Sequence, residues 1–572
     1  MKKLLKYLRG YVKEAILGPL FKLFEASLEL IVPLIIASII DVGIMNGDKR
    51  HVIIMSAVLV LLGLVGLGFS LTAQYFAAKA SVGFVTRVKH GLYEHLQSLS
   101  YADIDRLGTS TMITRMTADA SKVQTGLNLT LRLLLRSPFV VFGAMIMAFS
   151  IDFQSGVNFG IVILALSIVV FGIMLITMPL YKRVQGRVDK ILIRTRENLS
   201  GARVIRAFAM EDDETERFKS ENSALTSLQQ KAGNISALMN PLTYVIINVG
   251  VILLIYIGAL RVNSGDLSQG QVIALYNYMA QILVELVKLA NLIVSISKAL
   301  ASASRISSAF DITPSMSYGN LEEAPDAEHI VEFDNVSIKY NENGDNALEG
   351  ISFKVSPGET IGIIGGTGSG KSTLVSLIAR YYDATEGTVK LAGCDVKNYT
   401  KNALMKKIGI VPQRAVLFSG SIRDNMLWGD SDASDEKIYE AVKVAQALDV
   451  VESKGGLDGE ILAGGKNLSG GQRQRLTIAR ALVGKPDVLI LDDSASALDF
   501  ATDAALRSAI KNMSGNQTIF IVSQRASSVM FSDKIIVLDD GRAVSIGTHD
   551  ELISTCDVYR EIYDSQFKKE VS

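Results

Sequence analysis

Six apolar stretches ahead of Pro314 constrain this chain more than any other feature. Residues 15–40, 52–73, 127–151, 157–180, 237–260 and 272–297 each reach the roughly 20 residues that carry a helix across a bilayer core, and 52–73 holds no charged residue. With 49% hydrophobic and 20% charged residues and a mean hydropathy of +0.29, the chain is more apolar and less charged than soluble averages, so membrane spans are expected. Lys2, Lys3, Lys6, Arg9 and Lys13 precede the first stretch, which is longer than the apolar region of a secretory signal. The positive-inside rule then places the N-terminus in the cytoplasm.

The connections alternate in length. Residues 43–51, 152–156 and 261–271 read as short outside loops, whereas long polar segments without proline join spans two to three and four to five. Val85, Val88, Leu92 and Leu96 recur at helical spacing, so these spans are predicted to continue as helices into the cytoplasm; about 25 residues each way reaches roughly 37 Å. Their turning points, 101–108 and 197–208, are expected to lie against whatever sits below the membrane. In the sixth stretch Gln281, Glu285, Lys288 and Asn291 recur every three or four residues. Ionisable groups are costly toward lipid, so this stripe is expected inside the bundle, either as a Glu285–Lys288 ion pair that fixes packing or as a substrate contact.

Composition shifts near Pro314. Residues 1–313 read as an all-α transmembrane domain, 314–328 as a polar linker, and 329–572 as an α/β domain in which apolar strands alternate with helical patterns. A net charge of +0 gives no sign of a nucleic-acid partner, and two cysteines, Cys394 and Cys556, imply a reducing compartment without a disulfide framework. A strand at 361–364 runs into Gly365, Gly366, Thr367, Gly368, Ser369, Gly370, Lys371, Ser372 and then Thr373. In this P-loop pattern, glycines let backbone N–H groups close on phosphate oxygens, Lys371 neutralises β/γ charge and Ser372 supplies a magnesium ligand. The following helix adds its positive end, so the chain is read as holding ATP with Mg2+. Leu468, Ser469, Gly470, Gly471 and Gln472 open a helix over 473–483; alone, Ser-Gly-Gly is a loop with a cap. The buried run Val488, Leu489, Ile490, Leu491 delivers Asp492 and Asp493, and Gln524 follows a strand at 518–522. His549 reads as a helix start capped by Thr548 or Asp550, and Trp428 as a packing residue.

The phosphate loop, Gln413, Leu468 to Gln472, Asp492 and Gln524, in this order behind six spans, resemble a half-size ATP-binding-cassette (ABC) exporter of the type IV class over essentially the whole chain. The resemblance implies that Tyr340 stacks on adenine, Gln413 faces magnesium and the membrane domain, and Asp492 holds magnesium. Ser496, Ala497, Leu498 and Asp499 would form a D-loop, and 197–205 a coupling helix. Ser469, Gly470, Gly471 and Gln472 would meet ATP held by the phosphate loop of a second subunit.

Three positions depart from that pattern: Asp493 stands where the family has its catalytic glutamate, Gln524 replaces the switch histidine, and Ala463 lies near the place of an X-loop glutamate. A displacement near 1 Å can cost about a hundredfold in rate, and loss of a general base about 10²–10⁴. Gln524 cannot carry an imidazolium charge. Asp493 and Gln524 are therefore read as degenerate catalytic positions. The expectation is one subunit of a bacterial heterodimeric exporter in the plasma membrane, moving small amphipathic or drug-like substrates. Its partner would be a second half-transporter with Glu after the Walker B aspartate and a switch His. Alternatives are a homodimeric lipid or peptide exporter, a nucleotide-gated regulatory membrane protein, or an importer on an exporter-like scaffold. No peptidase-like extension precedes Met1, so a processing peptide exporter is not expected.

Overall fold

The computed structural model describes residues 2–340, 344–494, 496–512 and 517–567. The chain forms two compact units, Met1–Gln97 with Thr109–Ile312, and Ser98–Gly108 with Thr313–Ser572.

In the first unit, six helices among the described residues are long and apolar enough to cross a membrane: Lys3–Ile44, Lys49–Ser98, Thr109–Ile151, Phe153–Ser200, Glu211–Asn263 and Gln269–Ala309. Each contains one of the apolar stretches, and the second to fifth run on into the polar segments without a loop. Val85, Val88 and Leu92 are buried with Leu4, Ile306 and Ala309, while Leu96 is partly buried beside them. The connectors are shorter than expected. Asp152 alone separates the third and fourth spans, because its carboxylate caps the next helix through the Ser155 N–H (2.7 Å) and pairs with Arg261.

Proline removes a ladder hydrogen bond in the first span and in the third. The third keeps helical dihedrals through Leu134 and Leu135 but loses a ladder bond there, because Pro138 has no N–H to donate to the Leu134 carbonyl. In the first, Pro33 removes the helical donor for the Glu29 carbonyl, and the buried Tyr278 hydroxyl of the sixth span donates to the Leu30 carbonyl at 2.6 Å.

The expected polar stripe on the sixth span is buried only in part. Glu285 is 3% exposed, Gln281 is half-buried, and Lys288 and Asn291 are exposed. At 100° per residue, Asn291 lies about 120° around the helix from Glu285, so it leaves the packed face. The Glu285–Lys288 pair forms at 2.8 Å, but Glu285 is also gripped by Arg136 (2.6 Å) and the Ser137 hydroxyl (2.8 Å) of the third span.

The second unit is built on a six-stranded sheet in the order Arg542–Gly547, Lys534–Asp539, Thr360–Gly365, Thr518–Val522, Val488–Asp492, Ile408–Val411. All neighbours are parallel except the first pair. Parallel strands covered on both faces read as unbroken apolar runs, hence the complete burial of Val488, Leu489 and Ile490. A four-stranded antiparallel sheet, ordered Leu348–Val355, Val331–Ile338, Glu386–Leu391, Cys394–Asp395, packs beside it in one core.

Two segments differ from the sequence-based boundaries. The linker is tied down: Gly319 and Leu321 donate N–H to the carbonyls of Lys397 and Asn398, and Thr400 donates back to Leu321. Residues 98–108 also fold with this unit. The helix Tyr101–Leu107 is capped reciprocally by Ser100 and Asp103, and the buried Asp103 carboxylate takes further bonds from the Ser315 N–H (3.0 Å) and hydroxyl. A buried carboxylate needs such donors, and residue 315 supplies them. Tyr101 then lies on Tyr381 at 4.4 Å, and the Tyr382 hydroxyl donates to Asp105 at 2.6 Å.

Candidate functional site

At the C-terminal ends of the central strands lies a cavity of about 370 Å³ whose lining includes Tyr340, Lys371, Ser372, Gln413, Asp492, Asp493 and Gln524. The phosphate-loop pattern forms its floor. Gly368 and Gly370 take φ of +86° and +96°, the left-handed region that glycine enters freely. A Cβ on Gly370 would meet the Leu348 side chain at 2.5 Å, whereas one on Gly366 would meet nothing, so the loop backbone stays open on that side. Lys371 begins the helix Lys371–Ile378 and is 9% exposed; its ammonium donates to the carbonyls of Gly365 (2.9 Å) and Gly366 (2.5 Å). Burial pushes its pKa down, opposed by the charges of Asp493 and Asp492.

The Ser372 hydroxyl donates to Asp492 at 3.0 Å. Burial pushes the Asp492 carboxyl up; the Ser372 bond opposes this and the like charge of Asp493 adds to it. Asp493 leaves the strand at φ +46°, a conformation that aspartate tolerates better than longer side chains, and its N–H donates to the Val522 carbonyl at 2.9 Å. Strand register sets Val522 opposite Asp492, which brings Gln524, two residues on, to the same cavity. The Gln413 amide reaches Asp493 at 3.4 Å. Tyr340 is half exposed at the rim, with its hydroxyl on Thr373 (3.0 Å) and its ring edge-on to Tyr382.

The residues fit a magnesium-bound nucleoside triphosphate. Lys371 supplies a cation, Ser372 and Asp492 supply oxygen donors, and the volume suits a small ligand.

The signature residues lie outside this cavity. Ser469 caps the helix Gly470–Val483 in a reciprocal box with Gln472, so the helix begins three residues earlier than predicted and leaves Ser469 and Gly470 exposed. Asp499 caps Phe500–Lys511 through the Thr502 N–H, Leu498 is buried, and the Ser496 hydroxyl bonds the Asp493 carbonyl. Ala463 sits in an exposed turn. His549 follows its cap Thr548 and contacts the Tyr559 hydroxyl at 2.8 Å, away from the cavity lining. Trp428 packs at the surface: it is 66% exposed and stacked on Phe418 at 4.2 Å, since two rings can cover each other without entering the core. In the first unit, the helix Ala202–Ala207 leaves Leu199, Val204 and Phe208 exposed.

A family model described as the ABC transporter transmembrane region matches residues 15–286, and one described as ABC transporter matches 348–496. An uncharacterized ABC transporter ATP-binding protein of Bacillus subtilis, YfiB, is 34% identical over 576 residues and covers all of both chains. An ATP-dependent lipid A-core flippase of Desulfotalea psychrophila is 32% identical over 489 residues, 84% of each chain. The solved structure of a bacterial Atm1-family ABC exporter with ATP bound shares the fold, with a TM-score of 0.80 at 24% identity over 99% of both chains. A six-helix membrane unit joined to an ATP-binding ATPase domain, with family models over both and a relative matched end to end at 34% identity, places the chain in the ABC transporter family as a half-size, multi-pass transporter.

Proposed function

We infer that this chain is one half of a heterodimeric exporter of the plasma membrane, moving small amphipathic molecules outward, and that its own phosphate loop retains ATP at a slowly hydrolysing site. One observation carries the reading. Asp493 and Gln524 share a cavity with Lys371, Ser372 and Asp492, so a short carboxylate and a neutral amide stand where water activation and γ-phosphate charge would be handled. The binding parts are complete and the reacting parts are reduced.

In this reading Tyr340 stacks on adenine, residues 365–373 hold the phosphates, and Ser372, Gln413 and Asp492 hold Mg2+. When bound, the metal supplies charge neutralisation at the β/γ oxygens. Lys371 exchanges its loop carbonyls for phosphate oxygens. The exposed start of the helix at Ser469, Gly470, Gly471 and Gln472 completes the site of a partner half-transporter that carries Glu and His at the two reduced positions. The relative named as a lipid A-core flippase favours an amphipathic substrate with a lipid-like tail.

The test is ATP turnover by the purified chain alone and after co-assembly with such a partner. Slow turnover alone with undiminished ATP retention, and brisk turnover together, are expected. Brisk turnover in a verified homodimer refutes the division of labour. ATP-dependent accumulation of substrate in inside-out vesicles separates an exporter from a nucleotide-gated regulator.

A further inference from the structure

The strand Thr518–Val522 ends beside the nucleotide cavity, and Ser523 is still tied to the sheet, its N–H donating to the Ile363 carbonyl at 3.0 Å. Beyond it the chain leaves the sheet through Gln524 and Arg525 and enters the short helix Ala526–Val529. Gln524 lines the cavity, so whatever fixes this stretch of backbone fixes where its amide stands. The helix start does not fix itself, because its cap residue, Arg525, makes no side-chain cap bond. Ala526 is fully buried, and without a partner its N–H would be an orphan donor shielded from water.

One side chain near the C-terminus meets both needs. The Gln566 Oε1 accepts from the Ala526 N–H, and its Nε2 donates to the Gln524 carbonyl, both at 2.9 Å. A primary amide carries an acceptor and donors side by side, so this one spans Arg525 and grips the backbone on either side of it. The reverse orientation of the amide would set donor against donor and acceptor against acceptor. A helix cap needs only the first bond; the second reaches the cavity residue itself.

Packing delivers this amide. In the helix Asp557–Phe567, Tyr559, Ile562 and Tyr563 pack on the core around Ala526 and Val529, and Gln566 follows at the i, i+3, i+4, i+7 spacing of a single face. Tyr559 is fully buried with its hydroxyl on His549, which fixes how the helix is turned. From another side, Arg507 donates to the Ser527 carbonyl at 2.7 Å and pairs with Asp503. The helix Ala526–Val529 therefore keeps an anchor when Gln566 is replaced, whereas the Gln524 carbonyl loses the amide that holds it. Gln566 is exposed, so its replacement opens no core cavity.

We propose that Gln566 is a positioning residue, whose two backbone bonds hold the Gln524 amide against the terminal phosphate of bound ATP. It rests on the reading of Gln524 given above and names what sets that residue in place.

The experiment titrates the purified full chain in detergent, with Mg2+, against ADP and against the non-hydrolysable β,γ-imido-ATP, and reads the ratio of the two dissociation constants. Gln524→Ala should lower the preference for the triphosphate about tenfold, the worth of one hydrogen bond to a charged group. Gln566→Leu should lower it at least about threefold, with ADP affinity within about twofold of native. Gln566→Glu should do the same, since a carboxylate still accepts from the Ala526 N–H but repels the Gln524 carbonyl. In a Gln524→Ala background neither substitution should lower the preference further, as expected of residues that act through one another. Equal weakening of both nucleotides overturns the proposal, as does native preference in Gln566→Glu beside a loss in Gln566→Leu; either leaves a helix cap. Losses that persist in the Gln524→Ala background also overturn it. Native preference in Gln566→Leu, with the loss present in Gln524→Ala, rejects the positioning role alone. Native preference in Gln524→Ala rejects the phosphate role of Gln524 and the positioning role with it. Should Gln566→Leu lose monodispersity, Gln566→Glu decides.

Discussion

Restoring the missing methylene at position 493 is a sharper test than removing a side chain, because it predicts a gain. Asp493→Glu extends the carboxylate by about 1.5 Å. A misplacement near 1 Å costs about a hundredfold, equivalent to about 2.7 kcal/mol of barrier. Against this, residue 493 sits at φ +46°, where glutamate loses the tolerance that aspartate has; the left-handed region costs a longer side chain about 1 kcal/mol. If that strain is relieved by drawing the carboxylate out of place, about 1.7 kcal/mol remains, so the gain lies between about twentyfold and a hundredfold. The assay is phosphate release by a verified dimer of this chain at saturating Mg-ATP, with Asp493→Asn as the control that keeps the short side chain and loses the base. Adding Gln524→His should raise turnover further, since an imidazolium would then reach the same cavity. A rate for Asp493→Glu within about twofold of native, with nucleotide binding intact, refutes the claim that carboxylate reach limits this site.

In the co-assembled pair, Ser469→Arg should lower hydrolysis more than about tenfold beyond Asp493→Ala if, as proposed, the exposed helix start serves the competent site; the opposite ranking reverses the assignment of sites. Arg136→Met should cost about 3–5 kcal/mol by leaving Glu285 under-compensated, seen as lost monodisperse protein, and Arg136→Met with Glu285→Leu should recover it; an unaffected single variant would contradict the coupling. Burial alone would raise the Asp103 carboxyl, but bonds from Ser315 and Ser100 together hold it below its ordinary value. Its folded pKa being depressed, the stability it contributes is present above the pKa of a free aspartate and is lost as pH falls through the folded value. Hydrogen exchange over 98–108 should therefore be faster in Asp103→Asn than in the native chain at neutral pH, with the difference shrinking in strong acid; equal protection at neutral pH would show that the carboxylate does not anchor this helix.

The spans and the phosphate loop were legible because both are local properties. A bilayer imposes a length that hydropathy reveals along one stretch, and nine consecutive residues from Gly365 to Thr373 carry the groups that surround a phosphate. The pairing of Asp492 with Ser372 was also within reach, since the sequence reading assigned each to the same metal. The connectors and the linker were not, because cap and backbone partners decided them: Asp152 could end one helix and start the next only once Arg261 and the Ser155 N–H were beside it. Trp428 read as a packing residue, but its partner, Phe418 at the surface, was visible only in the structure.

Glu285 draws the line most clearly. Helical periodicity found Lys288 three residues on, because the period itself places those side chains together. It could not find Arg136, 149 residues earlier, or the route from there to Glu29. By itself the sequence determined six helices and an ATP-binding loop. Only tertiary structure decided which charges meet across helices, because that depends on packing register between spans distant in the chain, and burial then makes each unpaired alternative too costly to persist.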